Sequence, residues 1–189
     1  MQKFNWKTRV IKSYKLTEVH EKIKAKKKKI VYTAGAWDML HVGQIRYLQH
    51  AKQFGDVLIV GISSNKAIQK VKGTNRPILD QQIRAEMMTY IRFVDLVTVV
   101  DNTSNQPTIA LLKPDVYVTV KESWNSDYKK SEEYKTITKY GGDVKLIERQ
   151  SPYISTTQIL KRSVGAQLND VFKDLIKIGK KPLKEKKCP

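Results

Sequence analysis

At 189 residues, the chain is long enough for one domain with a substantial core and short for two. Lys and Arg number 36 against 18 Asp and Glu, a formal net charge of +18. No run of about 18 apolar residues occurs, so no transmembrane helix is expected. The single cysteine, Cys188, leaves no internal disulfide, and Met1–Lys7 lack the apolar stretch of a secretory signal; a cytoplasmic location is the expectation.

The positive charge is unevenly placed. Residues 1–29 carry 11 Lys or Arg against 2 acids and residues 161–189 carry 9 against 3, leaving residues 30–160 with 16 against 13. The basic excess belongs to the two ends. Such ends suit nucleic acid, an anionic surface or an acidic partner, and the simpler, favoured reading is lysine-rich, solvated termini. No aromatic residue interrupts Lys26–Lys29, as a single-strand platform would want.

In chain order, Leu16, Val19 and Ile23 have helical spacing, with Thr17 a possible cap. β and α patterns then alternate. Ile30–Thr33 reads as a strand, Val42–Phe54 as a helix, and Val57–Ile62 as a strand buried on both faces. Gln81–Arg92 is helical, Leu96–Val100 a strand, Thr108–Leu112 a short helix and Val116–Val120 a strand. Ser131–Tyr140 is a helix stopped by Gly141 and Gly142, Val144–Ile147 is the last strand, and Ser155–Ser163 opens a final helix. The expected fold is a single α/β domain, doubly wound, with a five-stranded parallel sheet. Its expected parts are a basic N-terminal extension with a short helix (1–29), the domain itself (30–164) and a basic C-terminal tail (165–189). Ligands of such sheets bind beyond the carboxyl ends of the strands, where strand order reverses.

Val31–Gln44 carries the most information. A buried strand runs into a glycine turn at Gly35, then an aspartate, Asp38, then His41 just before a helix. That crossing aims backbone N–H groups and the positive helix end at one spot, which suits a phosphate. His41 and Gln44, three residues apart, share a face of the first turn. His20 and His50 lack such a context and read as ordinary helix residues. A second constellation, Lys70-Val71-Lys72-Gly73-Thr74-Asn75-Arg76-Pro77, reads as a mobile basic loop able to clamp phosphates. Ser155, Thr156 and Thr157 supply helix-capping hydroxyls near the end of the domain.

The first segment resembles the signature of the cytidylyltransferase-like nucleotidyltransferases, Gly-x-Phe-Asp-x-x-His-x-Gly-His. Gly35, Asp38, His41 and Gly43 match, Trp37 takes the place of Phe, and Gln44 that of the second histidine. Lys-Gly-x-x-Arg-Pro at Lys72–Pro77 looks like the loop of the bacterial heptose-phosphate adenylyltransferases, and Arg84 matches an arginine that recurs in the next helix. Ile-Ser-Thr-Thr-x-Ile at 154–159 resembles the closing nucleotide-binding motif. Arg149 resembles an arginine of the glycerol-phosphate cytidylyltransferases. After the fourth strand the heptose-type enzymes carry Lys-Gly-Gly-Asp, where this chain has Lys121-Glu122-Ser123-Trp124.

The resemblance implies a Rossmann-like nucleotidyltransferase with His41, Gln44 and Lys72 as catalytic residues. It implies nucleotide or phosphate contacts from Thr33, Ala34, Gly35, Ala36, Trp37 and Asp38. Others follow from Lys70, Gly73, Arg76, Arg84, Lys121, Arg149, Ser155, Thr156 and Thr157. The implied reaction joins a phosphorylated small molecule, a sugar 1-phosphate of the heptose type, to the nucleoside monophosphate of ATP and releases pyrophosphate. Alternatives are a CTP-dependent cytidylyltransferase of glycerol 3-phosphate or a phospho-alcohol, and a weakly active nucleotide-binding protein whose basic ends hold a polyanion. Mg²⁺ is expected to arrive on the nucleotide, with no metal ligands from the protein, and a homodimer is implied.

Overall fold

The computed structural model describes residues 5–123, 127–150 and 155–179. Trp124, Ile154 and Cys188, named above, lie outside the described residues. The chain divides into two compact units, Met1–Pro152 and Tyr153–Pro189.

The first unit contains β1 (Val10–Ile11), α1 (Leu16–Ala25), β2 (Ile30–Gly35), α2 (Val42–Lys52), β3 (Val57–Ser63), α3 (Asn65–Lys72) and α4 (Gln81–Thr89). β4 (Leu96–Val100), α5 (Gln106–Leu112), β5 (Val116–Val120), α6 (Glu132–Lys139) and β6 (Asp143–Ile147) complete it. The second unit contains α7 (Thr156–Gly179).

The strands form one parallel sheet in the order β1-β4-β3-β2-β5-β6. Along β3, Leu58, Val60 and Ile62 enter one apolar cluster and Ile59 enters another, the two-residue period of a strand covered on both faces. Tyr47, Leu48 and Ala51 of α2 and Ala85 and Met88 of α4 complete the first cluster. Leu16 of α1, Ile109 and Leu112 of α5, and Ile137 of α6 complete the second. The result is a three-layer α/β/α unit.

Two expectations need correction. The sheet has six strands, because Val10 and Ile11 pair with Val97 and Thr98 at its edge. Residues of the expected N-terminal extension are therefore built into the sheet. Leu16 is fully buried, and Arg9 hydrogen-bonds the carbonyls of Thr89 and Asp95. A two-residue strand is too short for alternation to reveal it. Second, Lys70 and Lys72 lie on the last turn of α3 rather than in a loop. The Ser64 hydroxyl caps this helix on the Ala67 N–H at 3.2 Å, and Gly73 ends it at φ 85°, a conformation glycine adopts without penalty.

Strand order reverses between β2 and β5. β3 and β4 lie on one side of β2, and β5 and β6 on the other. The turns after β2 and β5 therefore flank the crevice where ligands of such sheets bind.

Candidate active site

The turn from β2 into α2 is unusual in its backbone. Trp37 and Met39 both adopt left-handed φ values, 51° and 53°, which cost non-glycine residues on the order of 1 kcal/mol each. Side-chain anchoring offsets that cost. The Trp37 ring is buried, donates its Nε1–H to the Gly61 carbonyl at 2.9 Å and packs on Tyr47. The intervening Asp38 is 2% exposed. Its carboxylate accepts the N–H groups of Ile78 (2.9 Å) and Leu79 (3.0 Å) and pairs with Arg76 Nη2 at 2.9 Å.

His41 is the N-cap of α2, with extended backbone (φ −134°, ψ 165°). Its carbonyl accepts the Gln44 N–H at 2.9 Å, and the Gln44 side-chain oxygen accepts the His41 N–H at 3.1 Å. This half of a capping box satisfies one of the orphan donors of a helix start. The N–H groups of Val42 and Gly43 precede the first intrahelical bond, at the positive end of α2. His41 is half-buried, and its Nδ1 is buried with no hydrogen-bond partner among the described residues. Burial, reinforced by the positive charge of Arg149, holds the His41 pKa below the ordinary histidine value, which favours neutral imidazole.

The turns after β5 and β6 are tied together crosswise. Lys121 Nζ lies 3.7 Å from Glu148, and Glu122 accepts the Arg149 N–H at 3.1 Å. That bond, foremost, holds the Glu122 carboxyl below its usual range. Lys121 and Arg149 are both exposed. The Arg149 charge reaches His41, so the structure brings these two expected site residues into one electrostatic environment.

Four expected nucleotide contacts have side chains engaged within the protein. Thr33 is buried, with its hydroxyl 2.8 Å from the Tyr47 hydroxyl, and Trp37 is a core side chain. Asp38 is engaged by residues 76–79. Arg84 is fully buried: its guanidinium donates to the carbonyls of Leu79 (2.8 Å), Ala36 (2.6 Å) and Ser63 (2.8 Å) and to Asn65 Oδ1 (2.8 Å). Burial lowers its pKa, and Asp38 and Asp80 oppose the shift. Arg84 thus ties the ends of β2 and β3 to the loop before α4. A buried cation needs such a full set of acceptors, and the sequence does not show where they lie.

Ala34, Gly35 and Ala36 are half-buried at the end of β2, and Lys70, Lys72 and Gly73 are exposed. Arg76 keeps a partly buried side chain on Asp38. Ser155, Thr156 and Thr157 belong to the second unit, where the Ser155 hydroxyl accepts the Gln158 N–H at 3.2 Å and caps α7. The sequence reading missed Asn65. It accepts from Arg84, donates to Asp80 at 2.6 Å, and its backbone N–H meets Gln81 Oε1 at 2.9 Å. Its place just after the Ser64 cap was the available signal.

Among the described residues, no three His, Cys, Asp or Glu side chains form a group able to hold a metal ion, and the Asp38 carboxylate is engaged within the protein. Nor is any described helix long and apolar enough to cross a membrane.

A family model described as cytidylyltransferase-like matches residues 32–162. The bifunctional protein HldE of Campylobacter jejuni subsp. doylei is 36% identical over 166 residues, 80% of this chain and 33% of that protein. HldE of Geobacter metallireducens is 41% identical over 103 residues, 54% of this chain and 21% of that protein. The chain thus spans about a third or less of the length of these curated relatives. Among solved structures, the lipopolysaccharide core biosynthesis protein from Thermoplasma volcanium superposes with a TM-score of 0.55 at 24% identity, covering 67% of this chain and 99% of that one. Pantoate-beta-alanine ligase from Francisella tularensis gives 0.52 at 11% identity, covering 74% and 66%. Both likenesses concern the fold. With the family match running from the buried β2 strand through the signature turn to the first turns of α7, the chain belongs to the cytidylyltransferase-like family.

Proposed function

We propose that the chain is a nucleotidyltransferase that joins the phosphate of a small molecule to the nucleoside monophosphate of a triphosphate, releasing pyrophosphate. The favoured substrates are ATP and a sugar 1-phosphate of the heptose type, on the Lys72–Pro77 resemblance and the HldE relatives. An oxygen of the acceptor phosphate bonds to the α-phosphorus as the bond from that phosphorus to the bridging oxygen breaks, and the electron pair leaves with pyrophosphate. No protein nucleophile is needed; positioning and charge stabilisation suffice.

The observation that carries this reading is the seating of His41 at the N-cap of α2, beside the strand-order reversal and within reach of the Arg149 charge. Neutral His41 would donate one ring N–H to the reacting phosphate, with the Val42 and Gly43 amides beside it. Lys70 and Lys72 would meet the outer phosphates, while Lys121 and Arg149 would approach from the β5–β6 side. Mg²⁺ would arrive on the triphosphate, bridging its phosphates. A homodimer, by family resemblance, and a cytoplasmic location, by the single cysteine, belong to the same proposal.

Pyrophosphate release from each of the four nucleoside triphosphates, with a panel of phospho-sugars and phospho-alcohols, tests the reading. Release with ATP that depends on a sugar 1-phosphate is expected. Release confined to CTP with glycerol 3-phosphate would move the chain to the cytidylyltransferases. One observation favours a second reading, a nucleotide-binding protein of low turnover. The residue in place of the second histidine has its side-chain oxygen on a backbone N–H and carries no positive charge. Nucleotide binding without pyrophosphate release would establish it.

A further inference from the structure

Three partners of Asp38 come from one place far along the chain. Arg76 Nη2 and the Ile78 and Leu79 amides converge on its two oxygens at 2.9–3.0 Å, and the carboxylate is 1% exposed. Arg76 in turn is mostly buried, with its Nε lacking a hydrogen-bond partner among the described residues. A buried cation of that kind stays in place because an anion compensates it.

The segment before this contact is held at its ends. Asn65 is fixed by Arg84, Asp80 and Gln81, and Arg76–Leu79 are fixed by Asp38. Between them only Ala67 and Ile68 are buried. Gly73 ends α3 in open space, with nothing within 4 Å of where a Cβ would stand. The position of Lys70–Gly73 therefore depends on its two anchors more than on its own packing.

We propose that Asp38 and Arg76 form a latch. By holding the far end of the basic segment Lys70–Gly73, they set the affinity for the outer phosphates of a nucleoside triphosphate without touching the nucleotide themselves. The inference rests on the nucleotidyltransferase reading, and it makes both groups positioning residues.

The test uses the full chain with Asp38→Asn, Arg76→Gln and the double variant. Affinities for a non-hydrolysable ATP analogue and for AMP are measured, together with trypsin cleavage after Lys70 and Lys72. (The bond after Arg76 precedes Pro77 and resists trypsin, so Arg76→Gln removes no cleavage site.) Each single variant is expected to weaken the triphosphate analogue by about tenfold while AMP affinity holds. Cleavage after Lys70 and Lys72 should accelerate in both, and the double variant should be no worse than the weaker single one, since both lose the same contact. Equal loss of analogue and AMP binding would overturn the latch, as would unchanged cleavage. So would a strong effect of Asp38→Asn with none from Arg76→Gln, which would mark Asp38 as a direct contact. Should Asp38→Asn fail to fold, Arg76→Gln, on the more exposed partner, decides by the same measures. A wild-type chain that binds no triphosphate would defeat the proposed function instead. The cleavage comparison needs no nucleotide, so faster cleavage in the variants would still support the latch and unchanged cleavage would overturn it.

Discussion

The side-chain oxygen of Gln44 accepts the backbone N–H of His41 at 3.1 Å. The residue that replaces the second histidine of the family signature thus fixes the backbone of the first. Gln44 consequently has two separable properties, the cap it makes and the positive charge it lacks.

Gln44→Glu and Gln44→His separate them. Glutamate keeps a carboxylate oxygen for the His41 N–H, so thermal stability should hold while triphosphate affinity falls through charge repulsion. Histidine loses the carbonyl-type acceptor and should cost about 1 kcal/mol of stability, as other lost caps do. In exchange it should raise kcat by about tenfold, because charge builds on the departing pyrophosphate only in the transition state. Denaturation midpoints and steady-state kinetics check both. An unchanged kcat in Gln44→His would remove the charge at this position from the reaction.

His41 should titrate below the ordinary histidine value of 6.5 in the free protein, measured from its ring resonances. Burial is the main cause and Arg149 the second, so Arg149→Gln should raise the value without restoring it fully. The sign for stability follows. Between the unfolded and folded values the unfolded chain binds more protons, so the contribution of neutral His41 is present above 6.5 and is lost as pH falls through the folded pKa. His41→Asn should flatten that part of the stability profile.

Lys72→Ala should weaken triphosphate binding by on the order of 1.5–3 kcal/mol, the magnitude of a lost hydrogen bond to a charged group, and leave monophosphate binding nearly unchanged. Lys72 is exposed on the last turn of α3, so the fold should persist. Equal weakening of both nucleotides by calorimetry would place Lys72 away from the outer phosphates, with Lys70→Ala the next variant to measure.

Arg84→Met should destabilise the protein by about 3–5 kcal/mol, since the carbonyls of Leu79, Ala36 and Ser63 and the Asn65 side chain lose a buried donor together. Chemical denaturation reads the loss. A loss of nucleotide affinity with stability intact would return Arg84 to the binding surface.

Much of this architecture was legible in the sequence, because alternating buried strands and amphipathic helices give separate periods. Leu96–Val100 and Val116–Val120 form strands over the expected residues. β1 escaped because two residues carry no period. α3 escaped because only Ala67 and Ile68 face the interior and the surrounding Lys, Gly and Pro read as a loop. For the site, the spacing from Gly35 to Gln44 marked the turn and the N-cap. It could not separate residues that face a ligand from those that hold the turn. Thr33, Trp37, Asp38 and Arg84 sit in or beside the motifs, yet Tyr47, Gly61, Arg76 and the Ala36 and Ser63 carbonyls that they bond come from elements remote in sequence. Only tertiary contact shows that.

The central claim is transfer of a nucleotidyl group to an acceptor phosphate. The most direct measurement incubates the protein with ATP and a sugar 1-phosphate whose phosphate oxygens are ¹⁸O-labelled, then reads the products by mass. The account predicts a nucleoside diphosphate sugar that retains every label and unlabelled pyrophosphate, because an acceptor oxygen attacks the α-phosphorus. AMP carrying a solvent oxygen, with the sugar phosphate unchanged, would mean hydrolysis in place of transfer and would contradict it.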